Sequence, residues 1–195
     1  MKYLLYSIAA VLWIGALTGC GKKDEAAAQP APSASLPAGF VLAAAPDNPV
    51  SVLVAKTTAT DGQRIVIEGR VGGAKRAIND SRAIFTIADN SLLACDTMGD
   101  GDHCPTPWDY CCEDSDKLKA GLATVKIVNA DGKPLDANLS TAMGLKPLQT
   151  VVVSGIAEPR SGDGSLVIRA DGIYIRDAGN ASASKTPEPT GCCPH

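Results

Sequence analysis

Thr150-Val151-Val152-Val153-Ser154-Gly155-Ile156 and Ser165-Leu166-Val167-Ile168-Arg169-Ala170-Asp171-Gly172-Ile173-Tyr174-Ile175-Arg176, joined through Ser161-Gly162-Asp163-Gly164, decide the fold class. Both runs are rich in β-branched residues, which lose χ1 freedom in a helix and pack well on a pleated surface. The Ser-Gly-Asp-Gly link supplies residues that tolerate positive φ, so the three pieces together predict a β-hairpin. The same pattern recurs upstream. Arg64 to Val71 sets Ile65 and Ile67 in alternation with Val66 and Glu68 and stops at Gly72-Gly73. Ala83 to Ala88 turns at Asp89-Asn90, and Ala123 to Val128 alternates until Asp131-Gly132. These period-2 runs bounded by turn residues read as strands.

Between and before the strands the pattern changes. Pro49 to Lys56 predicts a short helix capped by Ser51, although its β-branched content leaves a strand open. A helical turn is expected near Thr141–Leu145, between the third and fourth strands. That spacing predicts a mainly β domain: a small five-stranded OB-like barrel with a short N-terminal helix and an inserted cysteine-rich loop. Ser51-Val52-x-x-Ala55-Lys56, Asp61-Gly62, Val66-x-Glu68-Gly69-Arg70-Val71 and Phe85-x-x-x-Asp89 are similar to the opening of bacterial periplasmic OB-fold proteins. The resemblance covers about residues 49–90 and 148–177 and implies fold more than function, since such proteins are mostly described as small periplasmic binding or stress proteins. They generally lack a cysteine segment of the kind found here.

The 195-residue chain is long enough for one domain with a real core. Its N-terminus has a different character. Lys2 precedes an almost wholly apolar stretch from Tyr3 to Leu17, closed by Leu17-Thr18-Gly19-Cys20. This run resembles the signal peptide of bacterial lipoproteins, which implies lipidation of Cys20 after cleavage of residues 1–19, membrane attachment through that lipid, and a cell-envelope location. Gly21 resembles the residue that follows the lipidated cysteine in lipoproteins sorted to the outer membrane, on its periplasmic side. The alternative is an uncleaved transmembrane anchor. Residues 20–48 are rich in Ala, Pro and Ser and read as a flexible tether, residues 49–177 as the barrel domain, and residues 178–195 as a flexible tail.

Residues 95–116 carry the chemistry. They hold Cys95, Cys104, Cys111 and Cys112, seven acidic residues, His103, and no Lys or Arg. The core of the stretch, Cys104-Pro105-Thr106-Pro107-Trp108-Asp109-Tyr110-Cys111-Cys112, resembles a segment of uncharacterised exported bacterial proteins and brings no activity with it. Three readings compete. In the first, the four cysteines form two disulfides that staple the loop, as expected in an oxidising compartment, and Trp108 and Tyr110 cover one end of the barrel. In the second, Cys95, His103, Cys104, Cys111 and Cys112 hold zinc or copper(I), with Cys192, Cys193 and His195 of the tail as further ligands. The spacing matches no zinc ribbon, and an EF-hand read from Asp96 or Asp100 puts Pro107 or Cys111 where the bidentate glutamate belongs. In the third, the vicinal thiols exchange disulfides, but an acidic surround raises thiol pKa and opposes a reactive thiolate.

Several function classes lose support. With His103 and His195 as the only histidines, no Ser-His-Asp arrangement is convincing, and no glycine-rich phosphate loop is present. The chain therefore reads as a non-enzymatic binding or structural module, with thiol-based metal binding or disulfide exchange as the alternative and no cofactor required by the first reading. Aromatics are 4% of residues and the formal net charge is −3, so neither a base-stacking platform nor a general attraction to nucleic acid is present. Phe85 and Tyr174 are expected in the core. One local cationic cluster, Arg64, Arg70, Lys75, Arg76 and Arg82, surrounds the first long strand and its following loop. With Trp108 and Tyr110 it could take an anionic or saccharide ligand, or it could pair with the protein's own acidic loop. Nothing in the sequence specifies an oligomeric state.

Overall fold

The computed structural model describes residues 35–95, 104–162 and 164–176. A two-residue strand β1 (Val50–Ser51) leads into helix α1 (Val52–Thr58), followed by β2 (Arg64–Val71) and β3 (Ile84–Ala88). A 3-10 turn (Pro107–Asp109) and helix α2 (Ser115–Ala120) precede β4 (Leu122–Lys126). Helix α3 (Leu139–Met143) then separates β4 from the hairpin of β5 (Thr150–Ala157) and β6 (Leu166–Ile175).

The sheet runs β1-β2-β3-β4-β6-β5 and closes through β2–β5 pairing, which makes β2 to β6 a five-stranded barrel. Closure removes the free sheet edges that an open arrangement would leave. All the barrel pairings are antiparallel except β4–β6, which is parallel, and α3 sits in the connection where an OB-type barrel carries its helix. The long hairpin predicted from the sequence is present, with a register shift at Ser154/Gly155. There an added Cβ on Gly155 would stand 2.4 Å from the Arg169 carbonyl, so the close approach of β5 to β6 requires glycine.

Alternation places one face of β2 and β4 inside, while β5 is buried along almost its whole length. Ile65, Ile67 and Val71 of β2 and Phe85 and Ile87 of β3 are buried in the core, which α1 covers with Val52 and Ala55 and α3 with Leu139. Tyr174 is only half-buried, so the expectation that it lies in the core is corrected: it belongs to the outward set of β6, opposite Val152 of β5. The folded part also begins earlier than composition implied. Phe40 is 3% exposed in the core, its carbonyl accepts the Ile173 amide at 2.9 Å, and Leu42 N donates back to Ile173 O at 2.7 Å. Apolar burial of one aromatic ring thus draws part of the expected tether onto β6.

Helix α1 is capped from two directions. Ser51 Oγ accepts the Val54 amide at 3.3 Å, as the sequence predicts, and Asp89 Oδ2, from the end of β3, accepts the Leu53 amide at 2.8 Å. Among the described residues no helix is long and apolar enough to cross a membrane. The expected signal peptide, Cys20 and the tail after residue 176 lie outside the described residues.

Candidate metal centre

The cysteine segment is seated on the barrel by two glycines. Gly72 follows β2, and a Cβ there would lie 2.7 Å from both the Trp108 carbonyl oxygen and the Tyr110 ring. Gly73, at φ +88°, donates its amide to Trp108 O at 2.8 Å. Positive φ and lack of a side chain are what this contact needs, so the pair that reads as a strand terminator in sequence is also a docking seat. Trp108 packs against the main core and donates Nε1–H to Lys75 O at 3.2 Å. Tyr110, fully buried at φ +59°, fills a second apolar cluster with Ala88, Leu92 and Ala94. Trp108 therefore packs on the barrel core, whereas Tyr110 belongs to the separate cluster beside it.

The turn itself is built around Asp109. Its Oδ1 accepts the Cys111 amide at 3.0 Å, its Oδ2 accepts the Thr106 hydroxyl at 2.7 Å, and its own amide donates to Thr106 O at 3.0 Å. Further along, Glu113 Oε2 accepts the Leu93 amide at 3.2 Å, which ties the two limbs of the segment together beside Cys95. Asp114 caps α2 by accepting the Lys117 and Asp116 amides, and those donors hold its carboxyl below the usual range.

This scaffold gathers the sulfurs. Cys95 Sγ stands 3.5 Å from Cys111 Sγ, Cys104 Sγ 3.8 Å from Cys111 Sγ, and Cys112 Sγ 3.7 Å from Cys95 and 3.8 Å from Cys111. The double staple expected from the oxidising compartment is corrected here. Cys95, Cys104 and Cys111 are free, and Cys112 is disulfide-bonded to none of them. A disulfide holds its sulfurs at about 2.05 Å, and the turn at Asp109 spreads the thiols well beyond that. The ligand atoms of Cys95, Cys104, Asp109 and Cys111 all lie within 4.8 Å of one another, and Cys95 is buried while Cys111 is exposed.

The Cys111 thiol is held protonated. The hydrogen bond to Cys95, then desolvation, then Cys104 and the negative charges of Cys95 and Asp109 push the Cys111 thiol up to about 12. That is the direction an acidic surround imposes, and it opposes a free thiolate nucleophile.

The remaining expected site residues separate into two groups. His103, Cys192, Cys193 and His195 lie outside the described residues. The cationic cluster does not converge on one point. Arg64 pairs with Asp171 at 2.7 Å and Arg70 Nε donates to Leu148 O at 3.1 Å, whereas Lys75, Arg76 and Arg82 are exposed on the loop under Trp108. Among the described residues the ion pairs of the barrel fall elsewhere, at Lys126–Glu158 and Arg176–Glu68. Self-pairing of the basic loop with the acidic segment is therefore not seen among them. Sequence reasoning did not single out Gly72, Gly73, Asp109 or Thr106, although an Asp two residues before Cys111 is itself an Asx-turn signal.

No family model and no curated protein matches the chain. Among solved structures it is similar to the hypothetical protein ygiW from E. coli, at 14% identity over 67% of this chain and 94% of that one, with a TM-score of 0.34. No argument is drawn from a likeness at that level.

Proposed function

We propose that the chain is a lipid-anchored envelope protein whose barrel presents a thiolate site for a soft metal ion. The observation that carries the metal reading is the convergence of three free cysteines, from both limbs of one loop, to S···S separations of 3.5 and 3.8 Å. A tetrahedral ion with metal–sulfur bonds of about 2.3 Å sets its sulfurs about 3.8 Å apart. Thiols that merely fill a core have no reason to approach one another at that spacing around an exposed turn. Bringing three such groups together costs protonation and ordering free energy, which a bound cation offsets by displacing the protons. The barrel contributes rigidity: Gly72, Gly73 and Tyr110 fix where the turn lies before any ion arrives. The reading is of binding, with no reaction attached.

Purification of the full chain under anaerobic, reducing conditions, with metal analysis and thiol counting on the same sample, tests it. Zinc or copper in a fixed ratio to protein is expected, lost on replacing Cys95 or Cys111 by Ser. Finding Cys95, Cys104 and Cys111 fully titratable with no ion retained after addition of either metal overturns the proposal.

A further inference from the structure

We infer that the ion this cluster takes is cuprous copper, held by the thiolates of Cys95, Cys104 and Cys111 alone, with Asp109 as a positioning residue and not a ligand. The inference rests on the metal-binding reading above and deepens it.

Asp109 is the one oxygen donor in the group. Both of its oxygens are engaged in closing the turn, Oδ1 with the Cys111 amide and Oδ2 with the Thr106 hydroxyl. Swinging the carboxylate onto an ion would give up bonds that set Cys111 in place, and charge-assisted hydrogen bonds of this kind are among the stronger ones. Cys112 is already disulfide-bonded. Among the described residues the donors left are three sulfurs. Structural zinc fills four positions and hard divalent cations want oxygen. Copper(I) is a soft, closed-shell ion that selects thiolate and is satisfied by three sulfurs in a plane. On binding, three copper–sulfur bonds form, the thiol protons pass to water, and copper remains in its +1 state throughout.

The test uses the full chain, kept anaerobic and without added reductant so that the Cys112 disulfide is retained, titrated with copper(I) delivered as its bicinchoninate complex, with X-ray absorption at the copper edge. An equimolar complex is expected, with three sulfur neighbours and no oxygen or nitrogen in the shell. Zinc added instead should be stripped by EDTA. Asp109→Asn keeps an oxygen acceptor for the Cys111 amide and should leave the complex intact, whereas Asp109→Ala should weaken it about ten- to a hundredfold. Cys111→Ser should abolish it. An oxygen or nitrogen donor in the shell, loss of binding in Asp109→Asn, or a zinc complex that resists EDTA overturns the inference while the broader metal reading stands. Binding of neither ion overturns both.

Discussion

At Gly72 a single hydrogen atom in place of a methyl group decides whether the cysteine segment can dock. An alanine Cβ there would stand 2.7 Å from the Trp108 carbonyl and the Tyr110 ring, and backbone cannot yield as a flexible side chain can. Gly72→Ala is expected to destabilise the domain by about 1–3 kcal/mol, as overpacking does, and to weaken metal binding with it; a denaturant melt and a copper titration check the two effects. Asp89 poses a different question. Burial pushes its carboxyl up, but hydrogen bonds from the Leu53 amide, the Ser91 amide and hydroxyl, and Ser51 outweigh burial and hold it below its ordinary value of 3.8. A carboxyl whose pKa is lower in the folded state stabilises the fold above its unfolded pKa and loses that contribution as pH falls through the folded value. The wild-type chain should therefore lose stability from about pH 4 downward, and Asp89→Asn should be less stable near neutrality with a flatter acid limb, read from urea midpoints between about pH 7 and about pH 3.

Among the elements, β2 to β6 follow from the sequence because each is a run rich in β-branched residues, alternating in β2 and β4 and continuously apolar at the start of β5, and each is bounded by turn signals. Helix α2 does not, since Ser115–Ala120 is too short to show a helical period. Its signal is local: Asp114 at the cap and lysines at the far end. The 3-10 turn is legible only in part, from Pro107 at its start. That turn offers a direct readout, because Trp108 sits in it between Cys104 and Cys111, while Trp13 falls within the expected signal peptide. Addition of copper(I) to the processed chain should quench tryptophan emission and saturate at one equivalent. Unchanged emission alongside a bound ion would place that ion away from the turn.

For the whole molecule, the expected N-terminal anchor bears on where such a site operates. If residues 1–19 are removed and Cys20 is lipidated, Cys20→Ser should move the protein to the soluble fraction and abolish labelling by fatty acid, with the barrel still folded by far-UV circular dichroism. Retention in the membrane fraction would instead point to a spanning N-terminal helix.

The sequence alone determined the barrel, because strand alternation and glycine-bounded turns are local properties that each segment carries without reference to the others. It also singled out the cysteine segment as the place to look. It did not determine the state of those cysteines: the expected oxidising compartment would favour pairing, yet pairing depends on distances that no spacing along the chain reports. Tertiary structure decided that, by setting Asp109, Gly72 and Tyr110 so that three thiols meet without bonding. It also decided that Asp89 caps α1 across 36 residues of sequence and that Phe40 belongs to the core, because both contacts come into being only when the barrel closes.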